Sequence, residues 1–144
     1  MRAERLPGLD GAAGRTSCLP TEERGYRMVS TILIALVAAL HVYFMYLEMI
    51  AWDTPAGHKA FRLDPAFATR SKALAMNQGL YNGFLVAGLV WGLWLGAEGF
   101  AIKVFFLGCV VVAGLFGAVT VSRKILYVQA LPAAVALAAL LGGW

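Results

Sequence analysis

Charge is scarce in this chain. Only 14% of the residues are Asp, Glu, Lys or Arg, where a soluble domain carries about a quarter. So few charges cannot clothe a water-facing surface, and no separate soluble catalytic module is expected. Cysteine is scarcer still. Cys18 and Cys109 form no disulfide framework. Cys18 follows no apolar run that would mark a lipid-anchored cysteine, and Cys109 lies inside an apolar run, where a thiol acts as a small hydrophobe. HExxH, CxxC, Walker and GxSxG patterns are all missing, which removes the signatures of the zinc protease, dithiol, nucleotide triphosphatase and serine hydrolase classes. No metal and no cofactor is expected. The net charge of +4 is modest and gathers at the ends of apolar segments, which fits membrane topology and argues against a nucleic-acid partner.

Apolar residues are what the chain has in plenty, 60% of the total. A helix needs about 20 of them in a row to cross a bilayer core. Four segments meet or approach that: Val29–Trp52, Ala73–Leu95, Phe100–Val121 and Ile125–Gly143. The expected fold is therefore all-α, an integral membrane up-down-up-down four-helix bundle over residues 28–144. Met1–Arg27 differs from the rest. It holds five of the twelve basic and four of the eight acidic residues, and it reads as a disordered extension. Met28 offers a second start, so the extension is expected to be foreign to the native protein. The apolar run after Met28 is longer than a signal peptide's and lacks a basic n-region, so it reads as an uncleaved span.

Only the first connection, Asp53–Lys72, is long. In "DTP", Asp53 or Thr54 caps a helix that Pro55 starts, and in "LDPAF" Asp64 caps one that Pro65 starts. The second span is thus expected to begin near Pro65 and to enter the membrane near Ala73. The turns Gly96–Gly99 and Ser122–Lys124 are short, which forces antiparallel neighbours. Lys59, Arg62, Arg70, Lys72, Arg123 and Lys124 lie on the first and third loops, against Lys103 alone on the other side if the chain starts at Met28. The positive-inside rule then makes those loops cytoplasmic and leaves the C-terminus outside.

The second span opens on "MNQGLYNGF", costly in hydrocarbon for its amides. On a helical wheel Asn77, Gln78, Tyr81 and Asn82 occupy an arc of roughly 140°, which Gly88, Gly92 and Gly96 continue as a close-packing surface. Trp91 and Trp94 point away from it. Gly114 and Gly117 make a second such surface in the third span. The first span carries a facing stripe of His41, Met45, Glu48 and Trp52. Glu48 and His41 are the candidate proton carriers, since ionisable groups inside spans mark function by default. They lie about 10 Å apart along the axis, too far to share a metal. Thr120 and Ser122 close the third span; Arg123, Lys124, Tyr127 and Gln129 open the fourth. Pro132 there cannot bond the Val128 carbonyl. Because the helices alternate in direction, Glu48, Asn77, Gln78, Tyr81, Asn82, Ser122, Lys124 and Gln129 share one depth, while the other half is nearly free of polar side chains. This layer either holds a ligand or ties helices to one another. In the second case Glu48 pairs with Lys124, and His41 is a packing residue.

Three motifs, "HVYFMYLEM", "MNQGLYNGFLVAGL" and "FFLGCVVVAGLFGAVTVSRKILYVQALPA", resemble those of the small bacterial membrane proteins grouped as domain-of-unknown-function family 1304. The likeness runs from about Val29 to Leu141. It implies a four-helix integral protein of the bacterial inner membrane with no assigned activity, and it carries over no catalytic residue. Met1–Arg27 departs from the short N-terminus typical of the family.

The leading functional expectation is binding or transport of a small amphiphilic or hydrophobic molecule in a pocket at the cytoplasmic leaflet. Glu48, Asn77, Gln78 and Lys124 would give it polarity, and Tyr43, Tyr46, Trp52 and Tyr81 its walls. Small multidrug transporters share the architecture and a first-helix glutamate, an analogy of architecture alone. One alternative is an accessory subunit of a larger membrane complex, docking through its glycine faces. The other is a small membrane enzyme or redox partner with Glu48, His41 or Tyr81 as acid or base. Membrane lipid, other membrane subunits or a second copy are the expected partners.

Overall fold

The computed structural model describes the backbone from residue 21 and side chains from residue 28. The expected disordered extension Met1–Arg27 lies, but for the backbone of residues 21–27, outside the described residues. The protein is all-α: α1 (Thr21–Met49), α2 (Pro55–Phe61), α3 (Pro65–Trp94), α4 (Phe100–Thr120), a π turn (Leu126–Ala130) and α5 (Leu131–Leu141). No strand occurs among the described residues. Two segments, Met28–Met49 and Phe100–Thr120, are long and apolar enough to cross a membrane.

The caps read from sequence form. Thr54 caps α2, its hydroxyl accepting from the Gly57 N–H, and Asp64 caps α3, its carboxylate accepting from the Phe67 N–H at 3.1 Å. Pro55 and Pro65 each open their helix, where the missing N–H costs nothing. Arg62 ends α2 in the left-handed region, φ 56°, with its N–H on the His58 carbonyl. Gly96, φ 60°, turns the chain between α3 and α4 and has open space around it. It is a turn residue and does not extend the packing surface of Gly88 and Gly92.

α1 packs on α3 and α5, α3 on α4, and α4 on the π turn and α5. The seam between these helices holds Ile34, Val37 and Ala38 of α1, Leu89 of α3, Leu107 and Val110 of α4, and Ala133, Ala136 and Leu140 of α5. Small residues bring the axes together, since a β-carbon on Gly114 would stand 2.7 Å from the Ala130 nitrogen. At one end the Ser30 N–H donates to Trp144 O at 2.9 Å, joining the start of α1 to the end of the chain.

The fourth apolar segment, expected from sequence as one helix, is one continuous apolar helix, Leu126–Leu141, that opens on a π turn. The π turn ends where α5 begins, with Pro132 in the first turn of α5. Proline cannot donate to a carbonyl one turn back, and the widened turn before Pro132 accommodates that missing bond within the helix.

Candidate functional site

Asn82 of α3 and Glu48 of α1 form a polar side-chain bond between two long helices. The Asn82 Nδ2 donates to the Glu48 Oε2 at 2.6 Å. The approach is set by glycine: a β-carbon on Gly79 would meet Met49, the Glu48 Cβ and the Met45 carbonyl, and one on Gly83 would meet the Met45 sulfur. Asn82 is 7% exposed, Glu48 half-buried. The second carboxylate oxygen of Glu48 makes no hydrogen bond to a described residue. The expected Glu48–Lys124 pair is not made, because Lys124 is exposed in the turn after α4, where its N–H meets the Ser122 hydroxyl at 3.4 Å.

Asn77, Gln78 and Tyr81 do not join Asn82 inside; all three are exposed. α3 turns the seam Ala68, Ser71, Ala75, Gly79 and Asn82 inward, a spacing of three and four that was present in the sequence beneath the amides. Asn77 and Tyr81 lie on the same side of α3 as Gly88 and Gly92, by helical periodicity. Gly88 meets the Phe106 ring and Gly92 meets Lys103, so α4 covers that side in the far half. In the near half Asn77, Gln78 and Tyr81 of α3 and Phe116, Val119 and Thr120 of α4 are all exposed, Val119 at 87%. There Asn77, Gln78 and Tyr81 leave a polar stretch of α3 uncovered, while Phe116 and Val119 turn toward the outer side of α4, by the same periodicity. Ser122 is exposed, Gln129 half-buried in the π turn, and Gly117 lies against Ile125.

His41 is fully buried. Its Nδ1 donates to the Val37 carbonyl at 2.8 Å, its ring meets Phe44 edge-on at 5.6 Å, and its Nε2 has no partner. Among the described residues no ionisable side chain is bonded to it. No group of His, Cys, Asp and Glu able to hold a metal occurs among the described residues.

Lys103 stands in the first turn of α4, at the loop end where the sequence puts its charge, but its side chain is buried. It is 8% exposed, and its Nζ donates to the Gly96 carbonyl at 2.6 Å. Its stem covers Gly92, where a side chain would block it. It lies in the Leu107–Val110–Gly114 inward register of α4, and that spacing was the available signal.

Around Asp53 the connection is built, not loose. Thr54 Oγ1 donates to the Ala51 carbonyl at 2.7 Å, Thr69 Oγ1 donates to Asp53 Oδ1 at 3.2 Å, and His58 Nε2 stands 3.5 Å from the same oxygen. Trp52 donates from its indole to the Ser71 hydroxyl at 3.1 Å and packs on Phe61 at 4.9 Å.

Residues 35–141 match the family described as Protein of unknown function (DUF1304). The chain is also similar to the uncharacterized protein YpaA of Lactococcus lactis subsp. lactis (strain IL1403), 30% identical over 104 residues, which are 70% of this chain and 87% of the relative. No solved structure matches it.

Proposed function

Since the chain belongs to the DUF1304 family, whose members' function is unknown, we propose from its own residues that it is a four-helix inner-membrane protein that binds or transports a small amphiphilic molecule. Support for the membrane reading comes from the surface. Leu36, Leu80, Phe105, Val112 and Val135 are exposed large apolar residues spread over α1, α3, α4 and α5, far more than a water-soluble monomer leaves in contiguous patches. In this reading α1, α3, α4 and the π turn with α5 run up-down-up-down, the 53–72 and 122–124 connections face the cytoplasm, and the C-terminus lies outside.

The observation that carries the ligand reading is the uncovered face of Asn77, Gln78 and Tyr81, next to the Glu48–Asn82 pair. Amides and a phenol turned toward hydrocarbon are unfavourable unless something polar covers them. An amphiphile fits that face of α3: its head bonds the amides, and its tail lies on Leu74 and Phe84, exposed on the same side of the helix. Native mass spectrometry of the protein purified in mild detergent tests this. The wild type should retain a bound amphiphile, and Asn77→Leu with Gln78→Leu should lose it while melting normally. Equal retention by both overturns the ligand reading.

A second reading has its own observation. The outer side of α4 carries an apolar groove of ≈ 680 Å³ along Val104, Phe105, Gly108, Cys109, Val112 and Phe116. A helix of a larger complex fits such a groove, and stoichiometric co-purification of another membrane subunit would favour an accessory role over ligand binding.

A further inference from the structure

The connection between α1 and α3 separates its charges in a way that composition does not reveal. Among the described residues, every acidic group at this end of the molecule is turned to internal use. Glu48 accepts from Asn82, Asp53 accepts from Thr69 and faces His58, and Asp64 caps α3. The six basic residues at the same end, Lys59, Arg62, Arg70, Lys72, Arg123 and Lys124, are all exposed. Among the described residues none of them is in an ion pair. The acids hold the platform together and the bases face outward.

The platform is also ordered. Gly57 lets α2 sit directly on the Ala51 and Trp52 carbonyls, where any β-carbon would collide. Trp52 bonds Ser71 and packs on Phe61, joining the end of α1, α2 and α3. Ile50, Phe67 and Leu74 are exposed beside the cations. A nucleic acid or an acidic soluble protein would meet those apolar groups at a loss. A bilayer surface would take them into its interface while its headgroups met the cations.

We propose that this platform binds the headgroups of anionic phospholipids, so that the protein holds a shell enriched in them at the cytoplasmic leaflet. The proposal rests on the membrane-spanning reading given above. Neutralising six unpaired cations needs several anionic headgroups at once, so selectivity over zwitterionic lipid is electrostatic and salt-sensitive.

The test uses the full chain in mild detergent. Short-chain phosphatidylglycerol and phosphatidylcholine are titrated separately and bound lipid is read by native mass spectrometry. Phosphatidylglycerol should bind at least about tenfold more tightly, with about a fivefold loss for each cation removed. The combined variant Lys59→Gln, Arg62→Gln, Arg70→Gln and Lys72→Gln, which keeps Arg123 and Lys124, should cut the preference sharply, and molar salt should erase it. Glu98→Gln, exposed at the other end, should leave it intact. Thermal melting of the combined variant checks its fold, and the pair Arg123→Gln with Lys124→Gln gives an independent partial loss. Equal binding of both lipids by the wild type, a preference unchanged in the combined variant, or an oligonucleotide bound as tightly as phosphatidylglycerol would each overturn the proposal. Release of the protein from membranes by carbonate would instead overturn the membrane reading on which it rests.

Discussion

The Asn82 amide donates to the Glu48 carboxylate at 2.6 Å, and this bond ties α3 to α1 where Gly79 and Gly83 let the two backbones approach. An asparagine gives a carboxyl group a donor without a charge. The pair therefore avoids the desolvation of two ions and leaves one carboxylate oxygen open.

Asn82→Leu removes the donor and leaves the Glu48 carboxyl without a partner. It should lower stability by about 1–2 kcal/mol, read as a drop in the midpoint of unfolding of the purified protein in micelles. Glu48→Gln keeps an acceptor for Asn82, so its unfolding midpoint should stay near the wild type. The double change Glu48→Leu with Asn82→Leu should recover part of the Asn82→Leu loss. A Glu48→Gln protein that unfolds as early as Asn82→Leu would mean that the charge, not the hydrogen bond, holds the helices.

Glycines that face backbone should behave differently from glycines that face nothing. A β-carbon on Gly114 would stand 2.7 Å from the Ala130 nitrogen and 2.9 Å from its Cα, both in the π turn. That backbone cannot swing aside as a side chain can, so Gly114→Ala should cost about 1–3 kcal/mol. Gly108 has nothing within 4 Å of the same position. Gly108→Ala should be neutral, or stabilising by up to about 1 kcal/mol through helix propensity. Unfolding midpoints of the two variants, measured side by side, check the contrast.

The features that were legible in the sequence are those set by short-range chemistry. Thr54–Pro55 and Asp64–Pro65 each place a cap and a proline at adjacent positions, and a helix start needs nothing more. The choice among four neighbouring polar residues was not legible. Asn77, Gln78, Tyr81 and Asn82 share an arc, but only Asn82 falls in the seam with Ser71, Ala75 and Gly79. Which part of a helix is inward depends on where its neighbours cross, and α4 covers the Gly88–Gly92 half while leaving the Asn77–Tyr81 half open. The burial of Lys103 is hidden for a related reason. Its charge marks a helix end, while its place one turn from Leu107 puts its side chain in the packed face. The π turn escaped because Pro132 announces a lost hydrogen bond but not how the backbone rearranges around it.

The platform between α1 and α3 should loosen without the rest of the protein following. Thr54 serves it twice, capping α2 and donating to the Ala51 carbonyl at 2.7 Å. Thr54→Ala should cost about 1 kcal/mol locally. Trypsin cleavage at Lys59 and Arg62, both exposed, should then run several-fold faster. The global unfolding midpoint should hold, because α2 touches α1 only weakly and takes no part in the apolar seam. An equal fall in the midpoint would show that α2 unfolds only with the whole molecule.

His41 separates packing from proton handling. Its Nδ1 donates to the Val37 carbonyl, while its Nε2 is buried with no partner, an arrangement that leaves a lone pair unsatisfied at a cost of about 1–3 kcal/mol. Leucine has a similar volume and nothing to satisfy. The Val37 carbonyl lies inside α1, where it has a backbone donor of its own and loses little when the imidazole goes. His41→Leu should therefore unfold at the same midpoint as the wild type or a higher one. If His41 is packing alone, ligand retention in native mass spectrometry should also match the wild type. A variant that gains stability but loses the bound amphiphile would make His41 part of the site, with its open nitrogen as the acceptor for a ligand donor.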